Sequence, residues 1–400
     1  MPESSKLRVL FVTPSVSRLF TGIYEVEINI AKYLHKKGVD FEIHSLIDAY
    51  TNKDLENWLP LKPILYKSFG PKSLGYNPFF VFKLFKSSSD VGHIHSLWSY
   101  STFALYRWSK ICKKPYLYTV NAYLFDTALK QSGFKKKIAL FLGLKNVIKN
   151  ASCIQVNTLN EYHTVRRLGF KNPICLISNG VRLPDLNLNL LSPWHSFKET
   201  ENKKILLYLS RIHPQKGINL LIDAWELLFN DSKLKEWHLI IVGFGENYSS
   251  YESEISYSIN LKNSCNTITI LHGQYGELMD ACYANCDAFI LPSFNDGASI
   301  AALNALAFSK PSILTEGCNL SDSFSQNASI RIETNTLSIY KGIERLMAKT
   351  DLERLEMGAN GRKLVEEKYS WEFISLKILE IYNWLKAGKI GKLPSTIILD

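Results

Sequence analysis

The stretch Ile205-Leu206-Leu207-Tyr208-Leu209-Ser210-Arg211-Ile212-His213-Pro214-Gln215-Lys216-Gly217 decides how this chain is read. Its first five residues form a continuous apolar run, as expected of a strand covered on both faces. Residues 218–228 then follow the spacing of an amphipathic helix. Arg211 and Lys216 stand five positions apart at the corner between them. A helix start offers free N–H groups and the positive end of the dipole. A guanidinium grips a phosphate with two hydrogen bonds, and an ammonium adds a point charge. The corner reads as an anion site, with a plain solvated basic turn as the alternative.

The same alternation extends outward. Strand-like runs fall at residues 7–12, 41–46, 91–95, 116–120, 153–157 and 174–177, and again at 205–209, 239–242, 268–271, 288–291 and 312–314. Helical patterns at 24–37, 102–111, 218–228, 278–285 and 299–308 stand between them, and 351–385 reads as charged amphipathic helices. Two series of βα units predict two parallel sheets covered by helices, an α/β chain. At 400 residues the chain exceeds one ordinary core. The break is read at Leu183-Pro184-Asp185-Leu186-Asn187-Leu188-Asn189 and Ser192-Pro193-Trp194, a linker composition. The predicted domains are residues 1–184 and 185–370, followed by a terminal segment, 371–400. Ligands of such sheets bind outside the carboxyl ends of the strands, so a site is expected in a cleft between two facing sheets.

Composition narrows the class. A hydrophobic content of 46% with 12% aromatics is globular. No run of about 18 uncharged apolar residues predicts a spanning helix. Met1-Pro2-Glu3-Ser4-Ser5-Lys6 leads directly into a strand without an apolar signal segment. The seven Cys are odd in number and scattered, and no second pair or nearby His joins Cys282 and Cys286 into a metal site. A reduced, cytoplasmic chain without metal or disulfides is expected. Residues 1–184 hold 26 Lys and Arg against 11 Asp and Glu, a balance of +15, whereas residues 185–400 hold 21 against 26, or −5. Lys83 and Lys86 punctuate the aromatic run 79–85, and Lys135-Lys136-Lys137 precede the apolar run 138–144. Such a surface suits the anionic inner face of a membrane or an anionic substrate, with solubilising charge as the plainer reading. No nucleic-acid motif accompanies the charge, so nucleic acid is not an expected partner.

Two further corners carry chemistry. After the first strand, Thr13-Pro14-Ser15-Val16-Ser17-Arg18-Leu19-Phe20-Thr21-Gly22-Ile23 leads into a helix and reads as a phosphate- or substrate-packing loop, or as a simple loop. Leu291-Pro292-Ser293-Phe294-Asn295-Asp296-Gly297-Ala298-Ser299 does the same before the helix that holds Asn304. Asp296 and Asn304 are eight residues apart and are read as sharing a helix side, where they would hold sugar hydroxyls, or else as a loop or helix-start acid and a polar filler. His93 and His95, on one short strand, are read as pointing to opposite faces. Trp98, Tyr100 and Tyr123 follow strands and are candidates for stacking on an acceptor sugar.

Together these segments resemble the retaining, nucleotide-sugar-dependent glycosyltransferases of family 4. The resemblance is carried by Arg211-x4-Lys216, Val242-Gly243-Phe244-Gly245-Glu246 and Pro292-Ser293-x2-Asp296-Gly297-x6-Asn304-Ala305-Leu306-Ala307. Met357-Gly358-Ala359-Asn360-Gly361-Arg362 and Tyr369-Ser370-Trp371 add to it, as do Val9-Leu10-Phe11-Val12-Thr13-Pro14, His93-Ile94-His95-Ser96-Leu97-Trp98 and Ser178-Asn179-Gly180-Val181. It covers nearly the whole chain in order. It implies the GT-B fold of two Rossmann-like domains facing a central cleft, with a last helix, around residues 373–385, crossing back to the first domain. It implies that Arg211 and Lys216 hold the departing diphosphate without a metal, that Asp296 faces the donor sugar and that Asn304 faces the ribose. Gly22, Asn121, Gly243, Gly245, Gly297, Ala298 and Ser299 fall at donor-side positions, and His95, Trp98 and Tyr123 on the acceptor side. No cofactor is implied beyond the nucleotide-diphosphate sugar itself, and bond exchange on one face would retain the anomeric configuration.

The sequence departs from the family pattern at its motifs. The first Glu is Asp296, the second is Asn304, and the Gly-Phe-Gly after the first acid reads Gly297-Ala298-Ser299. The His-Gly after the strand 116–120 is Asn121-Ala122, and of the glycine loop only Gly22 remains. The leading expectation is a sugar transferase acting on a glycan or lipid-linked acceptor in polysaccharide or lipopolysaccharide assembly. A non-catalytic relative that binds nucleotide sugar or glycan, and a GT-B enzyme of another reaction such as an epimerase or phosphorylase, are the alternatives.

Overall fold

The apolar runs become strands because they can be buried on both faces, and the polar side chain among them in Trp237–Gly243, His238, is paired with Thr269 Oγ1 at 2.8 Å. Trp237–Gly243 and Ala288–Leu291 are buried at every position, which suits parallel strands covered on both faces. The structure, a computed structural model, describes residues 6–69, 75–96, 99–120, 143–243, 249–297 and 299–398. It divides into two compact units, Met1–Gly180 with Trp371–Asp400, and Val181–Ser370.

The first unit contains β1 (Arg8–Thr13), β2 (Asp40–Leu46), β3 (Ile64–Tyr66), β4 (Val91–Ile94), β5 (Tyr116–Thr119), β6 (Cys153–Val156) and β7 (Ile174–Leu176). The second contains β8 (Lys204–Leu209), β9 (Trp237–Gly243), β10 (Ile268–His272), β11 (Ala288–Leu291), β12 (Ser312–Thr315) and β13 (Ser329–Ile332). The last strand, β14 (Ile397–Ile398), joins the first sheet antiparallel to β7. The orders are β14-β7-β6-β5-β4-β1-β2-β3 and β10-β9-β8-β11-β12-β13. Apart from β14, all recorded strand pairs are parallel.

Each sheet reverses its winding once. In the second unit the chain runs outward from β8 through β9 to β10, returns beside β8 as β11, and runs outward again. In the first unit the reversal lies between β1 and β4. Ligands of open α/β sheets bind at such switch points, beyond the carboxyl ends of the strands. Each unit has its own core: Leu10, Trp108 and Tyr118 anchor one, and Tyr208, Trp225 and Phe289 the other. Trp225 also donates its indole N–H to Thr267 Oγ1 at 2.9 Å, so the buried ring leaves no polar atom unpaired.

The helix Trp371–Lys386 belongs to the first unit. Tyr382 Oη lies 2.6 Å from His93 Nδ1, Lys386 pairs with Asp90 at 3.0 Å, and Leu176 donates to the Thr396 carbonyl at 2.9 Å. The stretch read as a linker lies within the second unit. Trp194 is buried there, Asn285 donates to the Leu190 carbonyl and Arg362 to the Pro184 carbonyl. Side chains of the unit thus satisfy what looked like free connecting backbone.

One expectation is corrected. His93 and His95 do not point to opposite faces: their ring centres are 4.1 Å apart. Strand side chains alternate with a period of two, so residues two apart share a face. Among the described residues no helix is long and apolar enough to cross a membrane.

Candidate active site

The informative corner folds tightly at the end of β8. His213 Nδ1 accepts the Gln215 N–H at 3.1 Å, and Pro214 opens a single turn, Pro214–Lys216. Gly217 closes it at φ 69°, a left-handed backbone that glycine takes without strain. A Cβ there would lie 2.2 Å from the Pro292 carbonyl oxygen, so this loop and the one leaving β11 press backbone to backbone. Phe294 donates its N–H to the Gln215 carbonyl at 2.9 Å, and Ser293 Oγ donates to the same oxygen at 3.2 Å.

That contact brings together two residues 80 positions apart. Lys216 Nζ lies 2.5 Å from Asp296 Oδ2, with the lysine side chain 7% exposed and the aspartate 21%. A buried ammonium needs its partner, because breaking such a pair leaves an uncompensated charge. Arg211 stands exposed on the same loop, its carbonyl 3.4 Å from the Tyr208 hydroxyl. Asp296 is fixed from behind by the turn after β12. Its N–H donates to the Gly317 carbonyl at 2.7 Å, and Asn319 Nδ2 donates to its carbonyl. Thr315 Oγ1 holds the Ser293 carbonyl at 2.5 Å, and Gly317 has no room for a Cβ, which would lie 2.2 Å from that same oxygen.

Charge at this site reaches its neighbours. Burial, then Arg211 and Lys216, holds the His213 imidazole below its ordinary range, which favours the neutral ring that caps the turn. Burial, with Asp296 adding to it, pushes the Cys318 thiol up to about 12, so this cysteine stays a neutral packing residue.

The remaining candidates divide. Gly243 ends β9, and a Cβ there would lie 2.2 Å from the Ser210 carbonyl oxygen, so it seats the Arg211 loop. Gly297 has open space around it. Ser299 is buried and its Oγ caps the helix Ile300–Ala307 by accepting from Ala302 at 3.5 Å. That helix begins four residues after Asp296, so the helix-side argument linking Asp296 to Asn304 does not hold. Asp296 engages Lys216, whereas Asn304 is half-buried near Tyr283, whose hydroxyl donates to the Ala301 carbonyl at 3.2 Å. Asn121, Tyr123, Trp98, Gly245 and Ala298 lie outside the described residues.

In the first unit, Gly22 sits in the first turn of the helix Thr21–Lys36. The loop before it is clamped by the segment after β2. Ser15 and Ser17 donate their hydroxyls to Asp48 at 2.5 and 2.8 Å, and Trp58 Nε1 donates to the Val16 carbonyl at 2.8 Å. Asp54, its side chain 1% exposed, accepts from the Arg18 N–H at 2.8 Å and from its guanidinium. His95 is wholly buried against His93, whose Nε2 lies 2.8 Å from Thr119 Oγ1. Burial holds His93 and His95 below the ordinary imidazole range, His95 at about 3.

Sequence reasoning missed the Lys216–Asp296 pair and the Thr315–Asn319 turn. The pair follows from strand order: β8 and β11 are neighbours, so their exit loops must meet. The turn could have been suspected from Glu316-Gly317-Cys318-Asn319 directly after a strand, since Gly and Asn tolerate left-handed backbone.

Residues 195–364, which hold Arg211, Lys216, Asp296 and Asn304, match the family described as glycosyl transferases group 1. The chain is 23% identical over 226 residues to an uncharacterized glycosyltransferase of Methanocaldococcus jannaschii, covering 53% of this chain and 54% of that protein. The chain thus spans about half the length of that curated relative. It is 26% identical over 291 residues to CapM of Staphylococcus aureus, a capsular polysaccharide biosynthesis glycosyltransferase, covering 69% and 72% of the two chains. Among solved structures it is similar to Anabaena HepE, crystallised in complex with UDP and glucose. That likeness has a TM-score of 0.74 at 16% identity and covers 94% of this chain and 99% of the other. The fold class is GT-B, two Rossmann-like units, and the residues matched by the group 1 model lie in the second.

Proposed function

We propose that the protein transfers a sugar from a nucleoside-diphosphate donor to a glycan or lipid-linked acceptor in polysaccharide or lipopolysaccharide assembly. The carrying observation is the Lys216–Asp296 pair, buried at the switch point of the second unit beside the exposed Arg211. Arg211 and Lys216 would bind the donor diphosphate and neutralise the charge it gains as its bond to the sugar breaks. The acceptor hydroxyl would attack the same face of the sugar, giving retention, and its proton would pass to the departing phosphate oxygen. Asp296, at present on Lys216, would turn to the sugar hydroxyls once phosphate replaces it. No metal or cofactor is assigned a part. The basic first half supports a peripheral contact with the anionic cytoplasmic face of a membrane, where a lipid-linked acceptor would lie.

A thermal-shift panel of nucleotides and nucleotide sugars tests the reading. One diphosphate sugar should stabilise the parent, and Arg211→Ala should lose that response. A response preserved in Arg211→Ala would remove the anion-site assignment. A second reading, a relative that binds donor without turnover, is favoured by Asn304. It lacks the charge of a glutamate. Donor binding with no transfer to any acceptor would select it.

A further inference from the structure

The first unit carries an outward aromatic face that its core does not use. The helix Pro78–Leu84 buries Phe80, Val81 and Leu84, and Phe80 meets Tyr66 edge-on with 4.7 Å between ring centres. Its opposite side presents Phe79 and Phe82, 63% and 66% exposed, together with Lys83. Positions 79, 82 and 83 share a helix face by their three- and four-residue spacing, and Lys86 is exposed in the turn that ends the helix. Just before the helix, Phe69 donates its N–H to the Tyr76 carbonyl at 2.7 Å, and both side chains are exposed. Asn77 fastens that pairing to the helix, donating to the Lys67 carbonyl at 2.7 Å and capping the Phe80 N–H at 3.0 Å.

The sequence that carries this face holds formal charge of one sign. Residues 57–89 contain five Lys and no Asp or Glu. The carboxylate of nearby Glu42 is already engaged by His44 at 2.8 Å and by Ser87 at 2.6 Å. Exposed rings flanked by lysines have the composition of a surface that lies in a membrane interface. A two-fold contact with a second copy would set Lys83 and Lys86 against their own like charges.

We propose that the Phe79–Phe82 face docks on an anionic bilayer, the two rings entering the headgroup boundary and Lys83 and Lys86 meeting anionic headgroups. The proposal rests on the peripheral membrane contact put forward above and names the surface that makes it. The full chain should co-float with phosphatidylcholine vesicles containing phosphatidylglycerol, less so as salt rises, and not with phosphatidylcholine alone. Phe79→Ser with Phe82→Ser should weaken that binding by roughly tenfold or more, since interfacial burial of the rings is lost. Lys83→Glu with Lys86→Glu should weaken it by roughly tenfold or more as well, about fivefold for each lysine removed. Both variants should keep the parental melting temperature and donor-induced shift. Variants that float like the parent, or a parent that binds neutral vesicles equally, would overturn the proposal. So would a parent that binds no vesicles and self-associates through the two rings. A parent that docks but shows no donor response would sink the transfer reading and leave the docking face standing. If the double Phe variant melts early, the lysine variant, altered only at exposed side chains, decides.

Discussion

The two units share a winding pattern and differ at the same place in it. Both sheets reverse between their first strand and the fourth, β1 beside β4 and β8 beside β11. At the β8 exit, a buried lysine pairs with an aspartate, and an arginine on the same loop stands exposed. At the β1 exit, two aspartates close on hydroxyls, backbone N–H groups and Arg18. One loop therefore offers cations that a diphosphate can claim, and the other uses its carboxylates to hold itself still. Topology sets where a site can form, and the loop residues set its chemistry.

The sharpest way to break this comparison is to remove the cation at one exit and the anion at the other. Lys216→Ala should abolish the donor-induced thermal shift and lower transfer roughly a hundredfold to a thousandfold, the usual scale for losing one electrostatic contact to developing charge. Steady-state kinetics with the donor found in the panel would measure it, and parental rates would refute the assignment. Asp54→Ala should act on stability instead, costing about 2 kcal/mol, less than a fully buried pair because Arg18 is half-exposed. The cost should depend on pH. The Arg18 hydrogen bonds hold the Asp54 carboxyl below its usual range. Its stabilisation is therefore present above the unfolded carboxylate range and is lost as pH falls through the lowered value. Denaturant melts should show parent and variant converging in acid. A gap that persists there would put the stabilisation in packing, and a variant that chiefly loses transfer would erase the contrast between the exits.

The parts of this molecule legible in the sequence are those with long local patterns. The apolar runs at 205–209 and 288–291 announce their strands because parallel strands admit little polarity on either face. The three-residue β3 and the two-residue β14 are too short to show a period, and their partners in the sheet create them. Arg211, Lys216 and Asp296 could be named from their loops. Their grouping could not, because the Lys216–Asp296 contact depends on strand order across 80 residues. The polar clamps of the β1 exit were illegible for the same reason: Asp48 and Asp54 look like ordinary loop acids until β2 lies beside β1.

Glu27 extends the comparison beneath the β1 exit. It is wholly buried on the helix Thr21–Lys36, and its Oε2 has no partner among the described residues. Burial pushes its carboxyl from 4.5 to about 8, with the nearby Thr13 hydroxyl opposing it. Here the folded state holds the proton more tightly than the unfolded chain. Stability should therefore decline as pH rises from about 4.5 towards about 8 and level off above that. Glu27→Gln should melt with the parent in mild acid and above it in alkali. Parallel melting curves across that range would mean that Glu27 ionises in place or is satisfied by a partner.

The smallest expected effect lies in the turn that holds Asp296 from behind. Asn319 sits at φ 55°, and its amide donates to the Asp296 carbonyl. Asn319→Ala loses that bond and leaves a Cβ in left-handed backbone without the amide bonding that offsets its strain, at a combined cost of about 1–2 kcal/mol. Asn319→Gly separates the two, because glycine takes the backbone freely but has no amide. Thermal melts and transfer rates of both variants give the answer. Stability restored by Gly with transfer still reduced a few-fold would mean that the amide positions Asp296 against Lys216. Recovery of both would mean that only the bend matters and that Asp296 is held by its N–H bond to Gly317, 2.7 Å long. The first result would tie the chemistry of the β8 exit to a third loop, whereas the second would leave it to the two loops that meet at the switch point.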